Sequence, residues 1–183
     1  MIEGLLGSLS ATTYPSKTED MLAVEAEYCR MEDELREKLT SYAEKFPGYD
    51  EYRISGEVMG HDPYVLASAL SAILGKYTLL DAGAMLDEIF DLQYIVEEKS
   101  IAEMRYRTET RTGYREVTDP ETNEPILVEY TYEVEVAYDY KICVVTLISK
   151  PLESVIDELL TDEQRQIYEI LMKTKGNYPD LFN

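Results

Sequence analysis

Tryptophan is absent, phenylalanine occurs three times, cysteine twice and histidine once in 183 residues. With one histidine, any Ser-His-Asp triad, Cys-His pair or multi-histidine metal site would rest on His61 alone. Its place directly before Asp62 and Pro63 assigns it to a helix-entry turn instead. Cys29 and Cys143 fall in different expected elements without the electropositive setting of an activated thiolate, so both are expected to be free, buried packing residues. The nine glycines are scattered and none precedes a Lys-Ser or Lys-Thr pair, which excludes a phosphate-binding loop of the Walker type. No apolar run is long enough to span a bilayer, and MIEGLLGSLSATTYPSK lacks the basic start and apolar middle of a signal peptide.

Positive charge is scarce as well. Seventeen Lys and Arg stand against 37 Asp and Glu, a formal net charge of −20. Nucleic acid and anionic membrane both need a positive field, so neither is expected as a partner, whereas a basic protein is permitted. With this many acids, no carboxylate pair stands out for glycoside hydrolysis. The abundant aromatic is tyrosine, at sixteen.

Residues 1–18, rich in Ser, Thr and Gly, read as a flexible lead-in, and residues 19–183 as a single domain. Val24, Tyr28, Met31, Leu35, Leu39, Tyr42 and Phe46 recur at helical spacing, with Glu32–Arg36 and Glu34–Lys38 pairs on the wet side, until Pro47 and Gly48 stop the helix. YDEYRISGEVMG is short and irregular or extended. Asp62 and Pro63 open a helix that Gly75 closes, and Thr78 caps the next, so these two form a helical hairpin.

The period then changes to two. QYIVEEKS, EMRYRTETRTGYREV and the long ILVEYTYEVEVAYDYKICVVTLI read as strands, the last two joined by the turn cluster TDPETNEP. Asp119, Glu121, Asn123 and Glu124 in that turn offer oxygen ligands but lack the glycine and distal glutamate of an EF-hand, so the turn is expected to be solvated. Helical period returns in LESVIDELL and after Thr161, where TDEQ forms a capping box, and the last helix ends at KTKG. The fold class expected is α+β: a long twisted antiparallel β-hairpin of about three strands packed on its tyrosine-rich face against four to five helices.

Half of the chain's eight arginines, Arg105, Arg107, Arg111 and Arg115, lie within eleven residues of one strand. A register that brings the apolar faces together pairs Tyr114 with Tyr130, Arg111 with Glu133, Arg105 with Asp139 and Glu103 with Lys141. On that reading the arginines serve a cross-strand salt ladder, and removing Arg105 and Arg111 lowers stability modestly. Tyr130, Tyr132, Tyr138 and Tyr140, with Arg105, Arg107 and Arg111, make up the candidate interaction surface. No catalytic, cofactor-binding or metal-ligating residue is assigned.

HDPYVLASALSA, YTLLDAGAMLDEIFDLQY, RYRTETR, YEVEVAYDYKI with VTLISKPLESV, and LTDEQRQIYEILMKTKGNYPDLF together resemble a family found in conjugative transposons of clostridia-like Gram-positive bacteria. The resemblance spans roughly residues 20–182. It implies the extracytoplasmic accessory region of a cell-wall-hydrolase-type protein. A membrane segment would lie upstream and an NlpC/P60-type peptidase or lysozyme-like domain beside it. The chain carries no Cys-His arrangement suited to such a peptidase, so no catalytic residue is transferred. The function expected is that of a non-enzymatic accessory domain, which positions a hydrolase or binds a protein partner. One alternative is an acidic nucleic-acid mimic that occupies a basic host protein. The other is a carboxylate-dependent enzyme.

Overall fold

The computed structural model describes residues 12–183. The lead-in up to residue 11 lies outside the described residues. Along the chain run α1 (Thr18–Thr40), α2 (Tyr42–Lys45), β1 (Glu51–Gly56), α3 (Pro63–Leu74), α4 (Leu79–Gln93), β2 (Tyr94–Thr118), β3 (Pro125–Ser149), α5 (Leu152–Leu159) and α6 (Asp162–Thr174), then a 3₁₀ turn over Lys175–Asn177. The class is α+β. No single helix among the described residues is long and apolar enough to cross a membrane.

Two compact units emerge. The first comprises, of the described residues, 12–47, 54–98 and 145–183; the second comprises residues 48–53 and 99–144. In the first unit, α3 is the central element. Its segment PYVLASALSAIL is apolar nearly all round, the pattern of a helix enclosed on every side, and nine successive residues from Tyr64 to Ala72 are buried. Met21, Val24 and Tyr28 of α1, Leu86 and Ile89 of α4, Val155 and Ile156 of α5 and Leu171 of α6 complete the core around it.

Local chemistry sets the helix ends. The Asp62 carboxylate accepts the Tyr64 N–H at 2.9 Å, with Pro63 at the first helical position. Thr78 with Asp81 and Thr161 with Gln164 form reciprocal capping boxes. At the end of α6 the left-handed residue is Lys175 (φ 50°), one position before the expected Gly176, which follows at φ 60°. Gly176 is required there for a second reason. A Cβ on it would lie 2.2 Å from the Tyr14 ring, and its carbonyl accepts the Tyr14 N–H at 3.2 Å.

Tyr14 itself is 3% exposed and its hydroxyl meets Ser68 Oγ at 3.0 Å, while Ser16 Oγ accepts the Tyr77 N–H at 2.9 Å. Residues 12–17, read from composition as lead-in, are therefore packed against α3 and the chain's end. Ser/Thr content marked them as loop, but two tethering side chains hold them in place.

Three strands form one mixed sheet in the order β1-β3-β2. The expected first two strands are one continuous 25-residue strand, β2, which forms an antiparallel hairpin with the equally long β3. YDEYRISGEVMG supplies β1. Asp50 N–H bonds Lys141 O at 2.8 Å and Glu57 N–H bonds Leu147 O at 3.3 Å, so β1 runs parallel to β3 rather than antiparallel.

The hairpin register differs by one residue from the charge-ladder expectation. Asp119 N–H bonds Glu124 O at 2.9 Å beside the turn, and Lys150 N–H bonds Gln93 O at 2.8 Å at the open end. Stepping between those bonds sets Gly113 across from Tyr130, where a Cβ would come within 2.8 Å of the ring. The same register sets Arg111 across from Tyr132 and Arg105 across from Tyr138. The odd-numbered residues of β2 thus share a face with the even-numbered residues of β3. A one-residue slip exchanges every side chain between faces, so the pairings of Tyr114 with Tyr130, Arg111 with Glu133, Arg105 with Asp139 and Glu103 with Lys141 do not form.

Candidate functional site

In the second unit the arginines and tyrosines meet face to face. The Arg105 guanidinium lies 3.6 Å from the Tyr140 ring centroid, Arg107 5.2 Å from Tyr138 and Arg115 5.8 Å from Tyr130. A planar, weakly hydrated guanidinium gains from the ring quadrupole and loses little water in doing so. The carboxylate partners come from the same strand: Glu103 for Arg105 at 3.0 Å and Glu109 for Arg107 at 2.9 Å and Arg111 at 3.5 Å. Tyr130 and Tyr132 stay 40% exposed, with rings 5.7 Å apart, and Tyr138 and Tyr140 are half-buried. The tyrosine face is therefore dressed by arginine and is not the helix-covered core expected for it. Arg105→Ala should lower stability slightly, read as a small fall in the urea midpoint. A Tyr140→Leu background should largely remove that loss; an equal loss in both backgrounds would show the stack to be idle.

The opposite face is the more exposed one. Met104, Tyr106 and Tyr114 of β2 are 68%, 65% and 65% exposed. Their neighbours from β3 on that face are exposed Glu129, Glu133, Glu135 and Asp139. At the tip, the Asp119 carboxylate accepts the Glu121 N–H at 2.8 Å, which holds it below the usual carboxylate range, and Asn123 takes a left-handed conformation (φ 59°). These are the bonds and backbone angles of a tight turn.

In the first unit lies a polar cluster that composition did not reveal. Glu25, Tyr28, Cys29 and Glu32 occupy one face of α1, at the three- and four-residue steps that align on a helix. Above them sits His61, placed by the Asp62-Pro63 entry to α3. Its Nε2 lies 2.9 Å from Glu25 Oε1 and its Nδ1 3.0 Å from Glu32 Oε1, with the imidazole side chain 2% exposed and the carboxylates 18% and 8%. Glu32 also accepts from the Tyr94 hydroxyl, which in turn accepts the Gly60 N–H at 3.0 Å. Tyr28 sets its ring edge-on to His61 at 4.7 Å and donates its hydroxyl to the fully buried Gln93, whose amide donates to Gly60 O at 3.3 Å.

Burial alone would push the His61 pKa down, but hydrogen bonds and charge from Glu25 and Glu32 more than reverse this and raise it from 6.5 to about 9. Burial would raise Glu32, yet His61 and Tyr94 hold it below its ordinary value. At neutral pH the cluster is an imidazolium clamped by two carboxylates. Burial and the neighbouring Glu25 push the Cys29 thiol up to about 11, so it is no nucleophile there. Glu25, Cys29 and His61 nonetheless each offer a metal-ligating atom, all within 4.8 Å of one another.

Two expectations are revised here. Cys29 is exposed while Cys143 is buried, and the two are not bonded to each other. Glu32 does not pair with Arg36, because it turns inward to His61 and Arg36 takes Asp33. The available signal was a glutamate within the helix's apolar stripe; no local rule pointed to its partner 29 residues on. A groove of about 390 Å³ elsewhere in this unit, lined by Arg36, Leu39, Ile54, Val58, Met59 and Leu147, brings together no titratable cluster.

The chain matches no protein-family model, no curated protein and no solved structure.

Proposed function

We propose that this chain is a non-catalytic interaction module that receives a basic, amphipathic protein surface on the acidic, aromatic face of its β2–β3 hairpin. The observation that carries the reading is the exposed row Met104, Tyr106 and Tyr114 beside Glu129, Glu133, Glu135 and Asp139. Tyrosine supplies contact area with few rotors to freeze, methionine adapts its flexible side chain to the partner, and a carboxylate rim speeds encounter with a positively charged partner. A net charge of −20 extends the same preference to longer range. The arginine–tyrosine stacks on the other face support the reading by stiffening the strands that present this row.

On the sequence resemblance, such a module would lie beside a hydrolase in an extracytoplasmic cell-wall protein of a conjugative element. Its partner there would be a basic segment of the transfer apparatus or of the hydrolase. The nucleic-acid-mimic reading is weaker, because exposed Met104, Tyr106 and Tyr114 break up the carboxylates on the face that carries Glu129, Glu133, Glu135 and Asp139. A carboxylate enzyme is weaker too, since the half-buried Glu25 and the buried Glu32 are both engaged by His61.

A photo-crosslinking residue at position 106, compared with one at position 138 in cells producing the protein, tests this. A discrete crosslinked protein from position 106, lost when Glu133 and Glu135 are changed to Gln and weak from position 138, is expected. Equal yields from both faces, or cleavage of peptidoglycan by the purified chain, would overturn it.

A further inference from the structure

We propose that Glu25, Cys29 and His61 form a binding site for one Zn²⁺ ion, with solvent as the fourth ligand and Glu32 holding the imidazole from behind. It goes beyond the docking role above and uses none of the docking-face residues.

The donor set is the first argument. Imidazole nitrogen, thiolate sulfur and carboxylate oxygen together suit zinc, while Mg²⁺ and Ca²⁺ prefer all-oxygen sets. Three protein ligands with an open position are a known zinc pattern. The spacing is the second. Glu25 Oε1 lies 2.9 Å from His61 Nε2 and 3.4 Å from Cys29 Sγ, and all three groups fall within 4.8 Å. A tetrahedral ion with bonds of about 2.0–2.3 Å holds its ligands about 3.3–3.8 Å apart. The Glu25 side chain, at 18% exposure, needs only a small rotation to open that gap. Zinc would take the place of the protons on Nε2 and sulfur.

The third argument is the support behind the histidine. Zinc-bound histidines characteristically donate their other N–H to a carboxylate, which fixes the ring and raises its basicity. Here Nδ1 meets Glu32 at 3.0 Å, and Glu32 is 8% exposed and held by the Tyr94 hydroxyl. The Tyr28 edge fixes the ring plane. Nε2 is thereby aimed at Glu25 and Cys29, and Cys29 is exposed, so the open position faces the side from which an ion can arrive. A plain ion pair would need neither the thiol beside Glu25 nor a second, backing carboxylate.

The test uses the full chain, stripped with a chelator and titrated with Zn²⁺ against a chromophoric competitor, then with Co²⁺ to record its absorption spectrum. Expected are one saturable site and a thiolate-to-cobalt charge-transfer band. Cys29→Ser changes an exposed residue and should leave the fold intact; it should abolish the band and weaken Zn²⁺ binding by tenfold or more. Glu32→Gln keeps all three ligands and should weaken binding by about 10–100-fold, with circular dichroism confirming that it folds. No saturable binding, or equal affinity in the wild type and Cys29→Ser, would overturn the proposal; the latter would assign the ion to scattered surface carboxylates.

Discussion

His61→Ala will unfold at a markedly lower temperature than the wild type, with a loss of about 3–5 kcal/mol. The change removes the cation between two carboxylates that are 18% and 8% exposed and leaves Glu32 to the Tyr94 hydroxyl and Glu25 to the weakly donating Cys29 thiol. One must then take up a proton or water must enter, and Tyr94 loses the fixed acceptor it now shares with the imidazole. The pH dependence of the metal-free wild type gives the same interaction independently. His61 has a raised pKa, so its contribution is complete below pH 6.5 and is lost as pH rises through about 9. Glu32 has a lowered pKa, so its contribution is present above its ordinary 4.5 and is lost as pH falls through its folded value. Stability therefore peaks between about pH 4.5 and 6.5 and falls by up to about 3 kcal/mol toward pH 9.5. The alkaline fall should vanish in His61→Ala, and denaturant midpoints at pH 6 and pH 9.5 for the two proteins measure it. An identical fall in both would assign the titration to other groups.

Gly176→Ala is the second large effect expected. The residue has φ 60°, where a side chain costs roughly 1–2 kcal/mol. The new Cβ would also stand 2.2 Å from the Tyr14 ring, which is 3% exposed and has no space to retreat. Overpacking of a filled site adds roughly 1–3 kcal/mol. The result is a Tm lowered by well over the shift of an ordinary surface substitution, with loss of Tyr14 packing visible in near-ultraviolet circular dichroism. The double variant with Tyr14→Ala should lose only the backbone cost of roughly 1–2 kcal/mol relative to Tyr14→Ala alone, since the obstacle is gone. Full additivity would contradict the contact.

How far sequence alone carried the structure depended on the range of the interaction. The ends of α3, α4 and α6 were legible because Asp62-Pro63, Thr78 and Thr161-Gln164 act on backbone groups within three residues. The change from a helical to an alternating period marked where the strands begin. Hairpin register was not legible. Both strands alternate cleanly, so two registers one residue apart each align a regular pattern. Matching apolar with apolar and acid with base favoured the wrong one, because it gave arginine no credit for lying on a tyrosine ring. Once Arg105 is allowed to cover Tyr140, the tyrosines no longer need helices over them, and Met104, Tyr106 and Tyr114 are left outward.

The polar cluster was hidden for a related reason. Glu25 and Glu32 sit seven residues apart in an acid-rich helix whose Glu27, Asp33 and Glu34 meet arginines on the wet side. Only the fold brings His61 between them, and a rule that reads charge as solvent-facing misses the pair.

Cross-strand Hα–Hα nuclear Overhauser effects along the hairpin test the central claim most directly, since the register decides which side chains form the docking face. The account predicts contacts between Thr108 and Glu135 and between Tyr106 and Ala137, in non-hydrogen-bonded pairs where the Hα atoms approach closely. Contacts that instead place Tyr114 opposite Tyr130 and Arg105 opposite Asp139 would return the arginines to a salt ladder and move Met104 and Tyr106 to the tyrosine face, and the proposed docking surface would fall with that register.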